Sequence, residues 1–352
     1  MELGNVYIAP FFEAFVTETD KAWMWIDSLE GIFYREGSGE ITLCARIPWE
    51  MEYGNRLFGA MEKVGDKIVL VPNRHNYLIF YDVHTKEFSR TEIGTDPGQK
   101  ASYMATWKRD KYVYAFGFRT PQIMKINMET EAVEYVDDWC SVLKEHGYNR
   151  DMPYFRNSLI EIEGKLFVPF YNANAILVYD LGVDKTNVIT LKTGHEGFGA
   201  ICRYKKGILL APRNLSASLL YYSLEDTSVS EYAQDNKEYM PYAASIGMGF
   251  VEDKIIIYPT NSIYSSKMSY SSVANIAEGT FSMAKIRNDG FYVYKADEGI
   301  LYVYNDAGQQ MKKMSFQLNA RYMDLIIRQT EVINEYHKDD LKYFIEGVIQ
   351  SI

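Results

Sequence analysis

The chain of 352 residues carries 47 acidic side chains against 37 Lys and Arg, a formal net charge of −10 with a pI near 5.2, which excludes the globally basic surface that non-specific nucleic-acid binding needs. Hydrophobic residues make up 47% and charged residues 24%, enough apolar mass for a large core and too much for a disordered chain. Aromatic content is 15%, with 29 Tyr, and this favours strands, where large flat side chains pack on a pleated surface.

Residues 1–10 lack a basic leader and a long apolar run, and no window approaches the length of a membrane span. Cys44, Cys140 and Cys202 are odd in number, far apart and without CxxC spacing. That argues against a disulfide framework and a zinc site, and a cytoplasmic location is expected. The first regular unit follows, with GIFY at 31–34 and a GSG turn at 37–39. It returns more fully as LIFYDVHTKEF at 78–88, IMKINMETEAV at 123–133 and LLYYSLEDTSV at 219–229, and more loosely as ILVYD at 176–180 and LYVYN at 301–305. Upstream of most copies, roughly 14 residues earlier on a blade-like spacing, stands a turn and an apolar run: DKIVLV at 66–71, DKYVYA at 110–115, GKLFV at 164–168, KGILL at 206–210, DKIII at 253–257 and DGFYV at 289–293. The turn chemistry is that of a β-hairpin. Continuous apolar strands imply burial on both faces, as stacked sheets impose on their middle strands.

A period of about 40 to 50 residues is the one propeller blades produce. Tyr34, Tyr81, Ile126, Tyr179, Tyr222, a blurred point between Tyr264 and Met268, and Tyr304 serve as registers. They predict an all-β fold, a β-propeller of seven four-stranded blades, with residues 5–10 available as an extra strand to close the ring. The aromatic-plus-Asp ends Tyr81-Asp82 and Tyr179-Asp180 resemble the Trp-Asp and Tyr-x-x-Asp positions of the broad propeller superfamily of WD, kelch and quinoprotein-like repeats. The resemblance spans nearly the whole chain. The Gly-His of WD repeats and the Gly-Gly of kelch repeats are missing, so no family's functional residues carry over.

In such a propeller, the loops joining second to third strands share one face with the connections between blades, and that face is the default binding site. The first loop class places Arg74, Arg119 and Arg213 at similar positions, with Asn76, Tyr171, Asn174 and Asn214; the longest connection, 137–157, adds Trp139 and Arg156. Several guanidiniums on an acidic protein suit a carboxylate, phosphate or sulfate group through bidentate hydrogen bonds, and nearby Tyr and Trp suit a sugar. The expected function is therefore binding of a small polar or anionic ligand, glycan-derived among the options. Against it stands the plain reading, in which Asn ends strands and each Arg meets a carboxylate. A rival is a lyase or hydrolase acting on a saccharide or peptide, with His75, His195 and Glu196 as its weak catalytic candidates and a divalent cation held at the channel mouth by oxygen ligands such as Asn76 and Asn174. No ligand spacing marks a metal site. A protein-interaction scaffold is the third class. The nucleophile-elbow, zincin, P-loop and dinucleotide motifs are absent in their needed context.

Asp137 and Asp138 precede Trp139, Val142 and Leu143 at helical spacing, as in a short capped helix that serves either as a lid or as a plug between blades. After Leu318 the apolar period changes from two to 3.6. Leu325, Ile326, Val332, Ile333 and Tyr336 line one stretch, and Leu341, Phe344, Ile345, Val348, Ile349 and Ile352 another. The chain therefore divides into a propeller at 1–318 and amphipathic helices at 319–352. The helical stripe packs on the propeller rim or joins a protein partner or a second copy. Its acidic polar faces disfavour a membrane surface.

Overall fold

The computed structural model describes residues 14–26, 30–37, 40–49, 57–94, 99–145, 148, 153–213, 217–232, 245–251, 254–259, 266–267, 280–287, 290–295 and 300–316. Consecutive antiparallel strands form successive sheets. Five have four strands each, at 15–46, 58–92, 103–136, 160–190 and 198–232, and a five-stranded sheet spans 266–315. Between the fifth and the last of these lies a two-stranded sheet, Ser245–Val251 with Lys254–Pro259. Among the described residues there are thus six blades of four strands or more, not the seven expected. The missing blade is the one whose register was blurred between Tyr264 and Met268. Among the described residues, the hairpin Ser245–Val251 with Lys254–Pro259 stands at that place in the circuit. The candidate closing strand at 5–10 and the amphipathic stretches at 319–352 lie outside the described residues.

Each blade is built from a simple gradient. The second strands, such as Lys67–Pro72, Tyr112–Gly117 and Gly207–Pro212, are almost wholly buried, whereas the fourth, such as Phe88–Glu92 and Val133–Val136, are polar and half exposed. Blades meet through apolar layers. Val16, Trp23 and Ile32 pack on Phe58, Ile68 and Tyr81, and Val69 and Phe80 pack on Tyr103 and Met124. Each fully buried side chain of this size contributes about 1.5–3 kcal/mol of transfer free energy. The layers continue to the two-stranded sheet, where Met248 packs on Cys202 and Leu209. At Gly249 a Cβ would be driven into the Phe291 ring of the last blade. The last blade then packs on the first, with Tyr292, Tyr294 and Leu301 against Phe15, Met24 and Phe33. The circuit of sheets therefore closes, among the described residues, through this packing of the last blade on the first.

The registers sit on the third strands as expected. Tyr81 pairs with Ile68, Ile126 with Val113, Tyr179 with Leu166 and Tyr222 with Ile208. The residue after each register starts the outer turn. Asp82 Oδ1 accepts the amides of His84 and Thr85, Asn127 Oδ1 those of Glu129 and Thr130, and Asn305 Oδ1 those of Ala307 and Gln309. Four residues beyond Asp82, Asn127, Asp180 and Ser223 the backbone turns left-handed, at Lys86, Glu131, Asp184 and Thr227. Two of these residues reach the preceding blade. Glu131 pairs with Lys67 at 2.7 Å, and Asp184 with Lys125 at 2.5 Å.

Near the axis, charge is buried. Arg287 on the last blade's strand Thr280–Arg287 pairs at 2.6 Å with Glu62 on the second blade's innermost strand, with side chains 6% and 2% exposed. Thr106 Oγ1 donates to Glu62 Oε1 at 2.7 Å, Arg287 Nη2 donates to the Met61 carbonyl at 3.0 Å, and the guanidinium lies 5.1 Å from the Phe15 ring. The pair ties the end of the propeller to its second blade across the first. No described helix is long and apolar enough to cross a membrane.

Candidate functional site

The rim carrying the predicted loops is organised by backbone hydrogen bonds. A residue just past each second strand, the first in three blades and the second in the fourth, donates to the segment leading into the same blade's innermost strand: Asn73 to Leu57 at 2.8 Å, Phe118 to Ser102 at 2.7 Å, Tyr171 to Tyr154 at 2.7 Å and Arg213 to Gly197 at 2.8 Å. Two further bonds cross between blades, from Tyr154 N to Phe118 O at 2.6 Å and from Phe198 N to Phe170 O at 2.8 Å. The third, fourth and fifth blades thus share one stitched edge. These bonds also correct the alignment of the arginines. Arg213 is equivalent to Asn73, Phe118 and Tyr171, whereas Arg74 and Arg119 stand one residue further along their loops.

On that edge the side chains alternate between cation and ring. The Arg156 guanidinium lies 4.4 Å from the Tyr171 ring centre and 5.3 Å from that of Phe118. Arg213 lies 5.1 Å from Tyr171, Arg119 lies 5.8 Å from Phe118, and the two rings are 6.4 Å apart. Arg213 Nη1 also donates to Asn172 Oδ1. Tyr171 is buried, Arg156 and Arg213 are half-buried, and Arg119 is exposed. A guanidinium seated on an aromatic face gains about 0.5–2 kcal/mol, depending on its desolvation. Its N–H donors lie in its own plane, so the stacking leaves them free to fork an oxyanion. Arg74 lies exposed in the second blade. Among the described residues, no carboxylate forms an ion pair with Arg74, Arg119 or Arg213.

Gly197 underlies this arrangement. Its φ of +153° lies where L side chains are strained, and a Cβ there would be driven into the Tyr171 carbonyl oxygen. The Gly197→Ala variant is expected to lose about 1–3 kcal/mol in urea unfolding, because the strand entry and the Tyr171 loop must separate; an unchanged midpoint would show that the edge is not rigidly stitched.

Other predicted site residues have structural work instead. Trp139 is 1% exposed, with its ring 5.2 Å from Tyr154, 5.2 Å from Phe155 and 5.6 Å from Phe170. It begins the helix Trp139–Glu145, whose Leu143 is also buried, so this helix is the plug between the third and fourth blades. Asn76 donates to the Gln99 carbonyl at 3.2 Å and accepts from the Ala101 amide at 2.9 Å. Asn174 donates to the carbonyls of Leu191 and Thr193 at 2.6 and 2.7 Å and accepts from Thr193 Oγ1 at 3.0 Å. Both asparagines fasten their loops to the connection into the next blade. Asn214 lies outside the described residues.

The catalytic candidates do not converge. His75 Nδ1 accepts from the Tyr77 amide at 3.2 Å, and burial pushes its pKa down, so the ring is neutral at neutral pH. His195, three blade connections away in sequence, bonds through Nε2 to the Ser218 carbonyl at 2.9 Å and through Nδ1 to Thr193 Oγ1 at 3.1 Å, stacked on Phe198. Glu196 is exposed. Among the described residues, no group of three His, Cys, Asp or Glu side chains could hold a metal ion. Phe118 and Asn172 escaped the sequence reading. An aromatic residue ending an apolar strand looks like core, and only the loop's curvature turns it outward.

Closed circuits of radially packed four-stranded sheets define a β-propeller. No family model and no curated protein sequence match the chain. Among solved structures it is similar to a catalytically inactive variant of virginiamycin B lyase from Staphylococcus aureus with quinupristin, with TM-score 0.54, 10% identity, and 84% of this chain and 94% of that one covered. It is similar also to the computationally designed Ika8 protein, with TM-score 0.52, 9% identity and coverages of 91% and 90%. Hsv2 of Kluyvelomyces marxianus gives TM-score 0.50, 9% identity and coverages of 89% and 99%. These likenesses establish the propeller fold.

Proposed function

We propose that this propeller binds a small anionic ligand at the stitched edge of its third to fifth blades, with Arg119, Arg156 and Arg213 as the recognition groups and Arg74 beside them. One observation carries the reading: guanidiniums from separate loops meet over Phe118 and Tyr171, while Arg119 and Arg213 have no ion pair among the described residues. Arg119 and Arg213 carry like charge with no carboxylate paired to them among the described residues, and an anion set between them relieves their repulsion. The Tyr171 ring is covered by cations and buried, so its role is to hold guanidiniums rather than to stack a sugar. Three free thiols, Cys44, Cys140 and Cys202, suit a reducing, cytoplasmic setting.

Titration calorimetry with inorganic phosphate at low ionic strength tests the reading. Wild-type protein is expected to bind, and the Arg119→Ala/Arg213→Ala double variant to bind at least about tenfold more weakly, since a hydrogen bond to a charged group contributes about 1.5–3 kcal/mol. The double variant gives up two ring contacts, so its unfolding free energy should fall by about 1–3 kcal/mol with the fold retained. Equal affinity in the two proteins would sink the proposal.

A further inference from the structure

Among the described residues four charged side chains are buried: Arg35, Glu62, Lys63 and Arg287. Glu62 and Arg287 pair with each other, and Lys63 pairs with Glu18. Arg35 is the exception. It stands on the first blade's third strand, Gly31–Glu36, on the same face as Phe33, which packs against the last blade. Its residue is 4% exposed, and among the described residues it forms no ion pair and its Nε has no acceptor. Burial pushes its pKa down against the pull of the exposed Asp20, yet a guanidinium keeps its charge in a protein. A buried charge without a counter-ion is strongly destabilising, so an anion belongs beside it.

The surroundings of Arg35 point to the source of that anion. The guanidinium lies 5.4 Å from the ring of Phe316, which directly follows the last blade's outermost strand, Gln310–Ser315. That strand, QMKKMS, carries Lys312 and Lys313 and no acidic residue, and its Met311 is 64% exposed. Cations and open apolar surface therefore adjoin the point where the chain leaves the last blade. The sequence beyond it has the complementary character. Residues 319–352 carry apolar stripes at helical spacing, with Asp324, Glu331, Glu335, Asp339, Asp340 and Glu346 among the polar positions. Asp324 comes first, eight residues past Phe316, a reach of up to about 28 Å.

We propose that residues 319–352 turn back over the seam between the last and first blades of their own chain, with Asp324 as the counter-ion of Arg35 and the later carboxylates against Lys312 and Lys313. A segment tethered at Phe316 meets this seam at a high effective concentration, which a second copy has to supply by mass action.

Two measurements on the full chain test the docking. In urea unfolding, Asp324→Asn should lower the folding equilibrium constant at least about tenfold in the wild-type background and carry no cost beside Arg35→Met, the coupling expected of a buried pair. Carbodiimide, which joins a carboxylate to a neighbouring amine, should link Lys312 or Lys313 to a carboxylate between Asp324 and Glu346, and peptide mapping should find the link in the monomer band. Losses that add in the double variant would overturn the proposal, as would a protein in which neither lysine forms such a link. Links confined to a dimer band would assign the seam to a second copy. Chloride that stabilises wild type but not Arg35→Met would assign Arg35 to a small anion. Either of these last results also overturns the docking.

Discussion

Replacing Arg287 by Ala should lower the unfolding free energy by about 3–5 kcal/mol, the usual cost of stripping one partner from a buried ion pair. The loss would arise at Glu62, whose side chain is 2% exposed and whose remaining described contact is the Thr106 hydroxyl. A charge left there keeps its desolvation cost without its counter-ion. For a domain whose total stability is typically about 5–15 kcal/mol, such a change is severe. Urea unfolding followed by tryptophan fluorescence measures it. The double variant Glu62→Leu/Arg287→Met should regain most of the loss, because an apolar pair of similar volume needs no compensation. A single variant as stable as wild type would mean that the pair does not close the ring.

Trp139→Ala should be comparably damaging, about 3–5 kcal/mol for a buried tryptophan. Its ring is packed edge-on to Tyr154 and Phe155 and tilted over Phe170, and Leu143 of the same helix is buried beside it. The helix has one anchored face, and removing the anchor leaves a cavity between two blades. The loss should show in thermal and urea unfolding, while any anion affinity of the remaining folded protein stays close to wild type. A stable Trp139→Ala protein that binds anions poorly would return Trp139 to the ligand site.

These two residues show where the sequence is informative and where it is silent. The blades were legible because each depends on local grammar: an apolar strand, an aromatic register, then a side-chain oxygen that caps the next amides, as at Asp82, Asn127 and Asn305. Where that grammar failed, between Tyr264 and Met268, a full blade was not found. The position of the Arg-bearing loops was legible for the same reason, since these loops follow the second strands. Burial was not. Trp139 follows two aspartates at helical spacing in a long connection, which fits a lid as well as a plug, and only the meeting of two blades shows that it is core. Asn76 and Asn174 look like ligands because Asn is polar and ends strands, yet the connection into the next blade consumes their amides. The Glu62–Arg287 pair had no local signature, since Arg287 and its acceptor Met61 are 226 residues apart. Both charges lie near hairpin ends, where solvent exposure is the ordinary expectation.

The arginine edge is the centre of the functional reading, and a crystal soaked in selenate tests it most directly. Selenate is a tetrahedral oxyanion, any two of whose oxygens accept a guanidinium's paired N–H donors as those of a phosphate do, and its anomalous signal locates it without reference to a ligand's shape. A strong anomalous peak within hydrogen-bond distance of Arg119, Arg156 or Arg213 is expected. Peaks at other surface cations, with none on this edge while its arginines face solvent, would contradict the reading.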